Sequence, residues 1–167
     1  MTTESVAFAA SASVTCTLAS LATSSSLVAG RQSDQIDNST NLYTDYLVSA
    51  MVTVGTTPTA GTQIELWVIP EKTDSAYPDV FTGAGDANKT VTTREILAQS
   101  GRLAKVWDVL ATTSNVAFDS GYVSVRSLLG YVPRKFVLFV VHNTGVNLNA
   151  TGGNHVLTQK GTYRTYA

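Results

Sequence analysis

The sequence predicts an all-β protein: an antiparallel β-sandwich of about seven to nine strands with jelly-roll topology. Three observations carry that prediction. Apolar and polar residues alternate with period two through residues 42–54, 63–69 and 156–166, the pattern of half-buried strands. Residues 136–141 form an unbroken apolar run, Phe-Val-Leu-Phe-Val-Val, which suits a central strand buried on both faces. Turn-forming clusters recur between these stretches every 8–15 residues, too closely for helical crossovers between parallel strands.

Residues 1–13 are small and polar and read as a flexible N-terminal arm ahead of a single domain over residues 14–167. Val14, Cys16 and Leu18 alternate with Thr15 and Thr17 as a first strand, and a second short one resumes at residues 27–30. Residues 33–41 are dense in Asp, Asn and Ser and read as a loop. In the strand over residues 42–54, Tyr46, Val48, Ala50, Val52 and Val54 share one face. Residues 55–61, with Pro58 and Gly61, read as a hairpin connection to the strand over residues 63–69. There Ile64, Leu66 and Val68 oppose Glu65, Trp67 and Ile69, so the two strands are expected to pair.

Residues 71–89 form the longest irregular stretch, more than a connector needs. Thr93 and Glu95 open a short helix that Gly101 ends. Residues 103–111 alternate again, residues 122–129 read as a short strand, and residues 146–154 as a Gly/Asn-rich loop. The strand over residues 156–166 closes the chain.

At 167 residues the chain suits one domain, with 11 basic and 12 acidic side chains and a formal charge of −1. Only 14% of residues are charged, and 40 Ser and Thr cover the surface instead. No Lys/Arg block is present, so neither nucleic acid nor an anionic membrane is expected as a partner. No apolar run reaches the roughly 20 residues that cross a bilayer. Residues 1–22 lack a basic start and carry Glu4, unlike a secretory leader.

Candidate chemistry is sparse. No Gly-x-Ser-x-Gly elbow occurs, and Cys16 falls on the inward face of its strand. His142 and His155 flank the loop between them with no carboxylate nearby in sequence, and read as polar loop-edge residues. The clusters Asp34/Asp37/Asp45 and Asp74/Asp79/Asp86 match turn usage rather than a calcium loop. No catalytic, cofactor-binding or metal-binding residue is therefore expected, and no enzymatic activity. Strand parity places Trp67 and Trp107 on outward faces, where an aromatic platform suits a sugar or a protein partner. Tyr77, Pro78 and Phe81 put apolar surface into the long loop, as an interface does.

Several segments taken together resemble a family of tailed-phage virion proteins, the small jelly-roll proteins that decorate or cement a capsid. They are Leu27-Val-Ala-Gly-Arg-Gln-Ser, Ile36-Asp-Asn-Ser-Thr-Asn-Leu-Tyr-Thr-Asp-Tyr-Leu-Val and Val54-Gly-Thr-Thr-Pro-Thr-Ala-Gly-Thr-Gln-Ile. Val141-His-Asn-Thr-Gly-Val-Asn-Leu-Asn-Ala-Thr-Gly-Gly-Asn-His and the closing Tyr163-Arg-Thr-Tyr complete them. The resemblance spans most of residues 27–166 and supplies no catalytic residues. It implies a place on the capsid exterior after synthesis in the host cytoplasm, the major capsid protein shell as partner, and a homotrimer. The alternative is a carbohydrate- or receptor-binding sandwich of a phage fibre or tail, motivated by Trp67, Trp107 and the loop around Tyr77.

Overall fold

A computed structural model describes residues 3–74 and 76–166. In chain order the strands are β1 (Glu4–Phe8), β2 (Ala12–Ser13), β3 (Ala29–Gln32), β4 (Ile36–Asp37), β5 (Asp45–Thr53) and β6 (Thr62–Pro70). They continue as β7 (Ala87–Thr90), β8 (Arg102–Val109), β9 (Ala117–Asp119), β10 (Val123–Ser124), β11 (Lys135–His142) and β12 (Val156–Tyr166). Helix α1 (Arg94–Ser100) precedes β8 and α2 (Val125–Leu129) follows β10. The count among the described residues is twelve strands rather than seven to nine, because four of them are only two or three residues long.

Two six-stranded sheets face each other. The first runs β1-β12-β5-β10, with β2 also on β12 and β9 also on β5; the second runs β7-β3-β11-β6-β8, with β4 on β11. Every ladder between these strands is antiparallel. The chain changes sheet between β2 and β3, β4 and β5, β5 and β6, β8 and β9, β10 and β11, and β11 and β12. Six crossings between two packed antiparallel sheets make the fold the expected all-β sandwich.

The expected pairing of residues 42–54 with residues 63–69 does not occur. β5 pairs with β12, β9 and β10, while β6 pairs with β11 and β8. Residues 55–61 arch from one sheet to the other, turned by Thr57 at φ 53° and Gly61 at φ 79°. The reason lies in the apolar faces. Tyr46, Val48, Ala50 and Val52 meet Ile64, Leu66 and Val68 across the sandwich in one core, so each strand buries its apolar side against the other sheet.

β11 is buried over Phe136–Val141 on both sides, as its sequence predicts. Phe136, Leu138 and Val140 enter the inter-sheet core, and Val137, Phe139 and Val141 enter a second core outside the second sheet. That second core is closed by Leu97 of α1, Phe81 and Val91. α1 begins where Thr93 accepts a hydrogen bond from the Ile96 amide, and its expected end at Gly101 holds. A side chain at Gly101 would collide with Ile69 Cδ1 and the Val68 carbonyl.

Three expectations change. Residues 4–8 and 12–13 of the expected flexible arm are strands laddered on β12, since β12 offers eleven residues of backbone that β5 alone does not cover; residues 1 and 2 lie outside the described residues. Residues 14–18 keep the alternating burial of a strand but join no ladder. Residues 125–129 form a helical turn, not a strand: Ser124 caps the Ser127 amide and Gly130 ends it in the left-handed region at φ 81°.

Candidate functional site

The outer face of the second sheet is roofed. Glu65 projects outward from β6 and is 1% exposed, yet its carboxylate is fully engaged. Oε2 accepts from Trp67 Nε1 at 2.7 Å, and Oε1 accepts from Gln63 Nε2 and from Arg94 of α1. The Arg94 guanidinium also stacks 5.0 Å from the Trp67 ring centre. A second clamp ties the long loop to β3, where Arg31 Nε and Nη2 donate to the two Asp86 oxygens at 2.5 and 2.7 Å. Burial alone would raise the Asp86 carboxyl, but hydrogen bonds from Arg31 and Thr17 outweigh it and hold the group below its ordinary value.

These contacts place the residues singled out from sequence. Trp67 does face away from the main core, but α1 covers it and leaves it 5% exposed. Trp107 turns inward: it pairs with Ile64 in the ladder and its Nε1 donates to the Asp119 carbonyl at 3.0 Å. The β6–β8 ladder is regular from Lys105 to Val109, so Trp107 shares the inward face with Val109, and the register shift lies beyond it, between Leu103 and Lys105. Neither tryptophan forms a surface platform. Phe81 is buried edge-on against Phe139, ring centres 5.1 Å apart. Tyr77 is half-buried, its hydroxyl accepting from Gln35 Nε2 at 3.0 Å. Pro78 stays half-buried on the wall of a cleft of about 670 Å³ beside α1, shared with Glu71, Gln99 and Tyr131.

Both histidines hold main chain in place. His142 is fully buried, with Nε2 3.1 Å from the Leu21 carbonyl and Nδ1 3.0 Å from the Thr144 hydroxyl. A nitrogen facing a carbonyl must carry the proton, so Nε2 donates to Leu21, while the Thr144 hydroxyl beside Nδ1 itself donates to the Val146 carbonyl at 2.9 Å. Burial pulls the His142 pKa down to about 4, with His155 adding to the shift. His155 Nδ1 accepts from the Thr53 amide and Nε2 donates to the Asn149 carbonyl. The half-buried Cys16 has its thiol pKa pushed up by burial, the opposite of a nucleophile's environment. Among the described residues, no three His, Cys, Asp or Glu side chains group as a metal site would.

Among the described residues, the outer face of the first sheet has no such roof. Cross-strand register places Val6 and Phe8 of β1 beside Arg164 and Thr162 of β12, and Val156 and Lys160 of β12 beside Met51 and Leu47 of β5. Val6 is 65% exposed, Phe8 58%, Tyr122 50% and Val156 40%. Lys160 lies between the two rings, its Nζ 5.1 Å from the Phe8 centre and 4.1 Å from Tyr122. Arg164 pairs with Glu4 at the margin. The result is an apolar and aromatic patch with a central ammonium on a rigid sheet. Sequence reasoning missed it by reading residues 1–13 as an arm. Glu4, Val6 and Phe8 alternating with Ser5 and Ala7 was the available signal.

No protein-family model matches the chain, and no curated protein sequence matches it.

Proposed function

We propose that this protein is a structural component of a phage virion, a capsid decoration or cement protein that binds the outside of the major capsid protein shell and bridges its subunits. The observation that carries the reading is the uncovered outer face of the first sheet, where Val6, Phe8, Tyr122 and Val156 stand exposed around Lys160. A sandwich that roofs one outer face and leaves the other apolar has a side suited to docking. Burying the Phe8 side chain against a partner contributes about 2 kcal/mol, enough for a few such residues to hold a protein on a shell that offers many sites. The segments that resemble cement proteins support the choice of shell as partner, and the same family likeness supports a homotrimer.

Co-sedimentation with expanded shells tests the proposal. The expected result is that wild-type protein pellets with shells and that Phe8→Ser pellets at least tenfold less. Light scattering should give a native mass of three chains. Failure to bind shells, with binding to a tail preparation instead, would move the protein to the fibre or tail.

A further inference from the structure

The open face of the first sheet carries a positive charge at its centre. Among the described residues, the Lys160 ammonium forms no ion pair, whereas Arg164, further along the same outward register of β12, is paired with Glu4. Lys160 stands opposite Leu47 in the β12–β5 ladder, with its Nζ 5.1 Å from the Phe8 ring centre and 4.1 Å from that of Tyr122. The Tyr122 hydroxyl lies 3.2 Å from that of Ser11, which ties the ring back to the sheet. Two other carboxylates share this face, and each is engaged locally. Asp45 accepts from the Ser124 hydroxyl at 2.5 Å and the Arg126 amide at 2.8 Å, and Asp119 accepts from the Gly121 amide at 2.8 Å. Aromatic rings attract an ammonium without neutralising it, so in the free protein water completes its solvation.

We propose that the capsid subunit covering this face presents an Asp or Glu carboxylate to Lys160. The inference rests on the docking reading above and names the chemistry of its partner. A surface that buries Phe8 and Tyr122 strips water from the ammonium between them, and a desolvated ammonium without an anion is costly. A second copy of this chain, packed face to face about a twofold axis through the patch, brings two Lys160 ammoniums together and is disfavoured. An extended polyanion is disfavoured too, because Glu4, Asp45 and Asp119 stand on the same face. A single carboxylate in an apolar surround complements a single ammonium among Val6, Phe8 and Tyr122. Such a pair also fixes the orientation in which the protein sits on the shell, which apolar contact alone leaves loose.

Co-sedimentation of the full chain with expanded shells tests the pair, using Lys160→Met and Lys160→Glu. Methionine keeps the apolar stem and removes the charge, so the sign of its effect decides. With a carboxylate opposite, Lys160→Met should bind at least about tenfold more weakly than wild type, and Lys160→Glu more weakly still. With an apolar surface opposite, Lys160→Met binds as well as wild type or better; that result overturns the carboxylate and leaves docking by this face standing. Lys160→Glu binding no more weakly than Lys160→Met overturns it equally. Wild-type protein that fails to pellet with shells overturns the docking reading itself, and this inference with it. Urea unfolding midpoints equal to wild type check that both variants are folded, and Lys160→Gln takes the place of Lys160→Met if that midpoint falls.

Discussion

The two outer faces of the sandwich are built from the same alternating strands and end in opposite states. On the second sheet, the outward residues of β6 and β11 (Trp67, Ile69, Val137, Phe139 and Val141) are apolar and are roofed by α1 and the long loop. On the first sheet, Val6, Phe8 and Val156 also point outward, and no second layer lies over them among the described residues. The difference separates two uses of apolar surface. Where the chain supplies its own cover, a large side chain stabilises the fold; where it does not, the same kind of side chain is available to a partner.

Substitutions on the two faces should therefore fail differently. The largest effect belongs to the roofed side: Phe139→Ala removes a ring packed against Phe81 and should cost about 3–5 kcal/mol, read from urea unfolding. A loss below about 1 kcal/mol there would mean that the roof is loosely held.

Next comes the end of the sandwich, where His142 joins residue 21 to the loop after β11. Its folded pKa of about 4 lies below its ordinary 6.5, so the unfolded chain binds the proton first. The stability it contributes is full above pH 6.5 and is lost as pH falls from 6.5 towards 4, by about 3 kcal/mol over the window. Asp37 and Asp86 are held below their ordinary value and titrate beneath that window. Unfolding midpoints at pH 7 and pH 4.5 should differ in the wild type and converge in His142→Gln.

The smallest stability effect belongs to the open face: Phe8→Ser should move the unfolding free energy by less than about 0.5 kcal/mol, since the ring is already in water. A larger loss would show that Phe8 holds β1 to the sheet rather than waiting for a partner.

Legibility from sequence followed the range of the forces involved. The alternation in β5, the caps of α1 and the double burial of β11 are local or nearly so, and the sequence reading located all three. The exchange of sheets between β5 and β6 was not legible, because two apolar faces packed across a sandwich and two strands paired in one sheet share the same alternation. Strand β1 was hidden because its ladder partner, β12, lies about 160 residues away in the chain. Parity held at Trp67, which α1 then covers, and failed at Trp107, which shares the inward face with Val109. The exposed apolar patch around Lys160 went unseen along with β1. The cleft had no sequence signal, since Glu71, Gln99 and Tyr131 come from three segments that only the fold brings together.

Hydroxyl-radical footprinting of shell-bound against free protein tests the difference between the two faces most directly. Phe8 and Tyr122 should lose reactivity on the shell while Tyr131, at the mouth of the cleft on the roofed side, keeps its own. Protection of Tyr131 with Phe8 and Tyr122 unchanged would contradict the account and assign docking to the roofed face.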